Sequence, residues 1–364
     1  MRKLSSPITV HLEVTQKCNE RCRHCYNSSH TPQSITGENL NKTIDELIKN
    51  KVMHVIITGG EPLLEMDKVI YLAKKSIGNG MSVSLNSNCI LMNEYNVKML
   101  LNAGITHCLT TLHSYNAQGH NKVAGVDSFD KIIKGIKLAQ SMGLRITVNS
   151  VLLDSNKRDV FKIGKLCQSI GVKKYLCNRV IPDDNGFIAG KQEVRKMVSD
   201  LLKLRDTGME VGTCRMIPEC FFGNVDEVPE FINRGCSAGR RHMLLNINGD
   251  SHACVHESKS YGNIHEIGLR GCWDNMYEWR SLAYVPSECI NCPRIESCEG
   301  GCRMVALKQT GSMNGKDILH DSLQAIPPIK DKQINVREED DFYIIRERGA
   351  KVRFIDKSSR CRTC

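Results

Sequence analysis

Three thiols stand at Cys18-x3-Cys22-x2-Cys25, close enough along the chain to share one loop, and Tyr26 follows them. Thiolates so placed can hold three irons of a 4Fe-4S cluster, leaving the fourth iron without a protein ligand. A saturated cluster suits electron transfer, whereas an open iron can take the amine and carboxylate of a small molecule. Zinc would ask for a fourth nearby Cys or His. His24 inside the motif keeps that alternative open.

Further polar groups recur downstream. Thr58-Gly59-Gly60-Glu61-Pro62 carries two adjacent glycines, which let backbone approach a ligand and offer it amides and carbonyls. Asn86-Ser87-Asn88-Cys89, Thr110-Thr111-Leu112-His113-Ser114 and Asn149-Ser150 follow. Each lies where a predicted strand ends, the edge at which parallel sheets and barrels build their sites.

Those strands come from short apolar runs near 8–14, 53–58, 81–86, 106–112, 145–152 and 172–178. Amphipathic helical patterns follow near 38–49, 66–78, 93–103, 128–142, 157–169 and 191–206. Six strand-helix units predict an α/β fold with a parallel sheet, either open and doubly wound or a partial barrel. After about residue 214 the alternation stops and Gly and Cys become frequent, so a small cluster- or metal-stapled domain is expected. The division is 1–207 for the core, 208–235 as a bridge and 236–364 for the Cys-rich domain. In the tail, Asp331 to Asp341 reads as a charged linker, and residues 342–345 and 351–355 as a hairpin around Gly349.

With 364 residues, 41% hydrophobic and 25% charged, the chain can bury a large core, and its composition excludes disordered and collagen-like classes. No export signal or spanning run is evident, so a cytoplasmic location with reduced thiols is expected. Eighteen cysteines then mean metal or redox chemistry rather than disulfides. Of these, Cys108, Cys167 and Cys177 stand in apolar strand or helix contexts and are expected in the core, while Cys214 and Cys272 read as structural. Trp273 and Trp279 read as packing residues, His252 and His256 as solvated, and Arg240-Arg241-His242 as a solvated basic face.

Together, Cys18-x3-Cys22-x2-Cys25-Tyr26 and Thr58-Gly59-Gly60-Glu61-Pro62 resemble the radical S-adenosylmethionine (SAM) superfamily. The resemblance implies a partial (β/α)6 TIM-like barrel. It also implies one-electron cleavage of SAM to methionine and a 5'-deoxyadenosyl radical that abstracts a substrate hydrogen. By carry-over, Cys18, Cys22 and Cys25 hold the cluster, while Gly59, Gly60 and Glu61 seat the methionine amine. Ser87 and Asn88 match a Thr-Asn-Gly element in which Cys89 replaces Gly. Thr111 and His113 match a Ser-Leu-Asp-Gly element near the nucleoside, with His113 replacing Asp.

Downstream, Cys236-x12-Gly249-x4-Cys254 and Cys289-x2-Cys292-x5-Cys298-x3-Cys302, with a distal Cys361 or Cys364, resemble the SPASM extension, which holds one or two auxiliary 4Fe-4S clusters. The family's interleaving implies Cys220, Cys236, Cys254 and Cys302 for the first. It implies Cys289, Cys292, Cys298 and Cys361 or Cys364 for the second. A pair of zinc ribbons is the alternative for these cysteines. Three clusters would remove roughly five units from the formal charge of +10. That correction argues against nucleic-acid and membrane partners.

Relatives of this kind mature ribosomally made peptides, and a precursor peptide is the expected substrate. Only seven residues precede the first strand, so a separate leader-recognition protein is expected, along with a flavodoxin- or ferredoxin-type reductant. Sulfatase-maturing members carry Asp after the second SPASM cysteine; here Val255 follows Cys254, which disfavours that reading. A tetrapyrrole side-chain modifier is the rival within the superfamily. From another class come an iron-sulfur electron carrier and a zinc-stapled binding module.

Overall fold

Strands rich in Val, Ile, Leu and Thr assemble the sheet, because β-branched side chains suit a pleated surface buried on both faces. The computed structural model describes residues 4–27, 30–181, 187–232 and 235–321, and the backbone of 335–339, 342–346 and 353–356. β1 (Thr9–Glu13), β2 (His54–Thr58), β3 (Ser82–Asn86), β4 (His107–Thr111), β5 (Arg145–Leu152), β6 (Lys174–Arg179) and β7 (Glu210–Gly212) lie side by side in chain order. All their pairings are parallel. Helices α1 (Gly37–Lys49), α2 (Met66–Gly78), α3 (Glu94–Asn102), α4 (Ala117–Ala124), α5 (Phe129–Ser141), α6 (Val160–Ser169) and α7 (Lys191–Arg205) occupy the connections. The result is the expected α/β partial barrel, with Val10, Leu12, Val55, Ile57, Leu85, Cys108 and Val148 in its core.

The Cys-rich region is woven into this sheet. β8 (His242–Leu245) pairs in parallel with β1, Thr9 facing His242, and β9 (Ser251–His252) folds back antiparallel on it. Within α8 (Ile264–Asn275), the Leu269 amide donates to Glu46 of α1 at 2.7 Å. Trp273, fully buried, donates its indole N–H to the Leu4 carbonyl at 2.9 Å. Deeper still, Arg179 at the end of β6 forms an ion pair with Asp317, and both side chains are inaccessible.

Three sequence expectations change. His242 opens β8, and Arg240 pairs with Glu299, so that basic stretch is structural; only Arg241 is exposed. α4 was not anticipated, because its eight residues carry few apolar positions. The expected charged linker contains a strand, β10 (Asn335–Glu339), which pairs with β11 (Phe342–Arg346), itself paired with β12 (Arg353–Asp356). Asn-Val-Arg-Glu-Glu lacks an apolar alternation, so its pairing was not legible. Cys361 and Cys364 lie outside the described residues. No helix among the described residues is long and apolar enough to cross a membrane.

Candidate active site and auxiliary cysteine sites

The loop after β1 carries Cys18, Cys22 and Cys25, all half-buried and in mutual electrostatic contact. Burial pushes the Cys18 thiol up to about 11, and the carboxylates of Glu20 and Glu61 add to it. Cys22 and Cys25 are raised for the same first reason. Such thiols ionise only when a cation compensates them, as a metal ligand must.

The Gly59-Gly60 turn crosses directly behind this loop. A Cβ at Gly60 would lie 1.9 Å from the Lys17 carbonyl oxygen, and one at Gly59 would lie 2.3 Å from that of Thr15. The amides of Gly60 and Glu61 donate to those same two carbonyls at 2.7 Å. Gly59 also holds φ +144°, a conformation side chains resist. Gly60→Ala should therefore cost about 1–3 kcal/mol through overpacking and lower cluster loading, measured by urea denaturation and iron content.

Glu61 is fully buried and fixes the third element of the site. Its carboxylate accepts from the Leu63 amide at 3.0 Å, from Ser87 Oγ at 2.8 Å and from the Asn88 amide at 2.8 Å. Ser87 and Asn88, expected beside SAM, are thus tied to Glu61, and Asn88 Nδ2 donates to Asn19 at 2.6 Å. Cys89 holds φ +64°, so the backbone keeps the left-handed turn that the family fills with Gly.

Burial lifts the Glu61 carboxyl from 4.5 to about 7, against three hydrogen bonds that favour its charged form. Its contribution to stability is therefore full below pH 4.5 and is lost as pH rises through about 7. Glu61→Gln should flatten that fall relative to wild type, checked by urea denaturation across this range.

His113, expected near the nucleoside, lies beside the cysteine loop. Its Nε2 lies 3.5 Å from Cys22 Sγ, and its ring stacks on His120 with centroids 4.9 Å apart. Burial first, then His24 and His120, drive its pKa well down, so the ring is neutral. Ser128 Oγ donates to Glu20 at 2.7 Å behind this stack. Sequence reasoning missed Glu20 and His120; the only signal for Glu20 was its place inside the cysteine motif. Thr111 ends β4 half-buried. Glu13, also missed, ends β1 with a carboxyl raised to about 7 by burial and hydrogen-bonded to Tyr26. Tyr26 sits edge-on to His256, with centroids 5.9 Å apart. His256, expected to be solvated, is half-buried, with Arg215 Nη2 2.8 Å from its Nε2.

Seven further cysteines form two groups. Cys236 and Cys254 pack against an apolar cluster containing Cys302, Met216 and Val305. Cys220, expected with those three, instead lines a cavity with Cys289, Cys292 and Cys298. Buried Arg303 orders the loops between the groups by donating to five backbone carbonyls, those of Gly300, Gly301, Tyr284, Met313 and Gly315. Cys108, Cys167, Cys177 and Cys272 are in the core, as are Trp273 and Trp279, while Cys214 is exposed.

Among the described residues, no group of three or more His, Cys, Asp or Glu gathers closely enough to hold a single metal ion. A cuboidal iron-sulfur cluster sets its ligating sulfurs farther apart. All-sulfur donors at three places in a buried frame fit such clusters.

Residues 12–167 match the Radical SAM superfamily, so the chain carries a radical SAM domain, of a kind that uses a 4Fe-4S cluster and SAM. An AdoMet-dependent heme synthase of Oleidesulfovibrio alaskensis is 23% identical over 332 residues, covering 82% of this chain and 83% of the relative. A probable GTP 3',8-cyclase of Saccharolobus islandicus is 26% identical over 276 residues, 72% of this chain and 87% of the relative. In fold, the chain is similar to Streptococcus suis SuiB bound to its precursor peptide SuiA. There the TM-score is 0.69 at 20% identity, over 89% of this chain and 77% of that one.

Proposed function

We propose that this radical SAM enzyme modifies a peptide, with two auxiliary clusters in its Cys-rich region. The observation carrying the reading is the fold shared with SuiB, a structure containing a precursor peptide, across 89% of this chain. In this reading Cys18, Cys22 and Cys25 hold the cluster from which SAM is cleaved. When bound, cluster and SAM together supply a 5'-deoxyadenosyl radical.

The chain's own residues set the rest. Glu61, gripping Ser87 and Asn88, locks the Gly59-Gly60 turn, whose carbonyls seat the methionine amine. His113 contacts Cys22 through its Nε2. Tyr26 joins the barrel interior to His256, beside Cys254. A flavodoxin- or ferredoxin-type reductant and a separate leader-recognition protein complete the expected system.

A second reading, modification of a tetrapyrrole side chain, is favoured by the similarity to the heme synthase over 332 residues. Reconstituted enzyme with SAM and reductant would be given a mixed linear-peptide library, a propionate-bearing porphyrin or GTP. Substrate-dependent formation of 5'-deoxyadenosine with the peptides alone supports the proposal. Acceleration by the porphyrin or by GTP, with none from peptides, overturns it.

A further inference from the structure

The cavity at Cys220 carries an assignment of its own, resting on the auxiliary-cluster reading above. Its lining brings together thiols from two distant stretches: Cys220 on one side, and Cys289, Cys292 and Cys298 on the other. The stretches are locked in place. The Glu219 amide donates to Cys298 Sγ at 3.3 Å, so the residue before Cys220 is already bonded to the opposite wall. Beneath that bond, Glu219 and Arg294 form a buried ion pair at 3.0 Å. The Asp321 amide donates to Cys220 Sγ at 3.4 Å.

Backbone N–H groups aimed at sulfur stabilise thiolates, and hydrogen bonds to cluster sulfurs are one of a protein's means of tuning a cluster. Cys18 receives the same kind of bond, from the Glu20 amide at 3.4 Å. Cys220 and Cys298 therefore share a feature with the cysteine triad of the active site. All four cysteines line the one cavity, and electrostatic contacts run from Cys220 to Cys292, to Cys289 and to Cys298. In the same lining, His320 presents a buried Nε2 that has no hydrogen-bond partner among the described residues. Its donor is free to meet a sulfide or thiolate there.

Four thiolates saturate a four-iron cluster. We infer that Cys220, Cys289, Cys292 and Cys298 form a complete cage for the second auxiliary 4Fe-4S cluster, which needs neither Cys361 nor Cys364. It follows that Cys236, Cys254 and Cys302 do not share Cys220.

The test uses full-length protein, reconstituted anaerobically, with iron and sulfide counted and free thiols alkylated by iodoacetamide before peptide mass mapping. The assignment predicts about twelve irons in wild type and the loss of about four in Cys220→Ser. The Cys361→Ala/Cys364→Ala double variant keeps its iron. Alkylation of the loaded wild type, which needs no variant to fold, should spare Cys220 and modify Cys361 and Cys364.

About eight or twelve irons with Cys220 alkylated and Cys361 or Cys364 protected would overturn the assignment alone. So would iron loss in His320→Ala but not in Cys220→Ser, which would make His320 the ligand. A wild-type count of about four would overturn the auxiliary-cluster reading, and this assignment with it.

Discussion

Asp317→Ala should destabilise the protein by about 3–5 kcal/mol, because it strands a buried guanidinium. Arg179 and Asp317 are both inaccessible, and Asp317 also accepts from the Cys302 amide and the Leu319 amide at 3.0 Å each. One carboxylate thus ties the end of β6 to the loop that delivers a cysteine. Arg179 Nη2 keeps one partner, the Met216 carbonyl at 2.7 Å, which replaces no charge. The loss is read from urea or thermal denaturation. Arg179→Met combined with Asp317→Leu should recover much of it, since removing both charges leaves no unpaired ion. A single variant as stable as wild type would show that the pair is not held as described.

Replacing Cys18, Cys22 and Cys25 together by alanine should abolish SAM cleavage. Formation of 5'-deoxyadenosine would fall at least about a thousandfold, a loss of roughly 4 kcal/mol or more in transition-state stabilisation. Iron should drop by about four per chain while the auxiliary complement stays. Cys108→Ala is the matched control: Cys108 lies in the core, so the change should cost stability and leave both readouts unaltered. Residual cleavage in the triple variant would place the reacting cluster elsewhere.

Much of this was legible before the structure. The six predicted strands and their helices are present, because each pairs a short apolar run with a helix of clear amphipathic period. Cys18, Cys22 and Cys25 were legible because local spacing on one loop decides their proximity. The cavity that Cys220 shares was not, because the cysteines lining it lie about seventy residues away and no periodicity encodes the bond from Glu219 to Cys298. His113 illustrates a subtler limit: its contact with Cys22 joins loops 91 residues apart in the chain, and no local spacing encodes it. β8 escaped notice because Met243-Leu244-Leu245 is a short apolar run inside a Cys-rich stretch.

The pairing of β8 with β1 has a consequence for how the chain comes into being. During synthesis β1 is complete early, yet the strand that covers its outer edge emerges some 230 residues later. Until then the nascent barrel offers an unpaired edge, which invites association with other chains. Contacts of such sequence separation also slow folding. A fragment ending at the predicted core boundary would keep that edge for good, so the Cys-rich region serves as the lid of the barrel's seam as well as a scaffold for thiols.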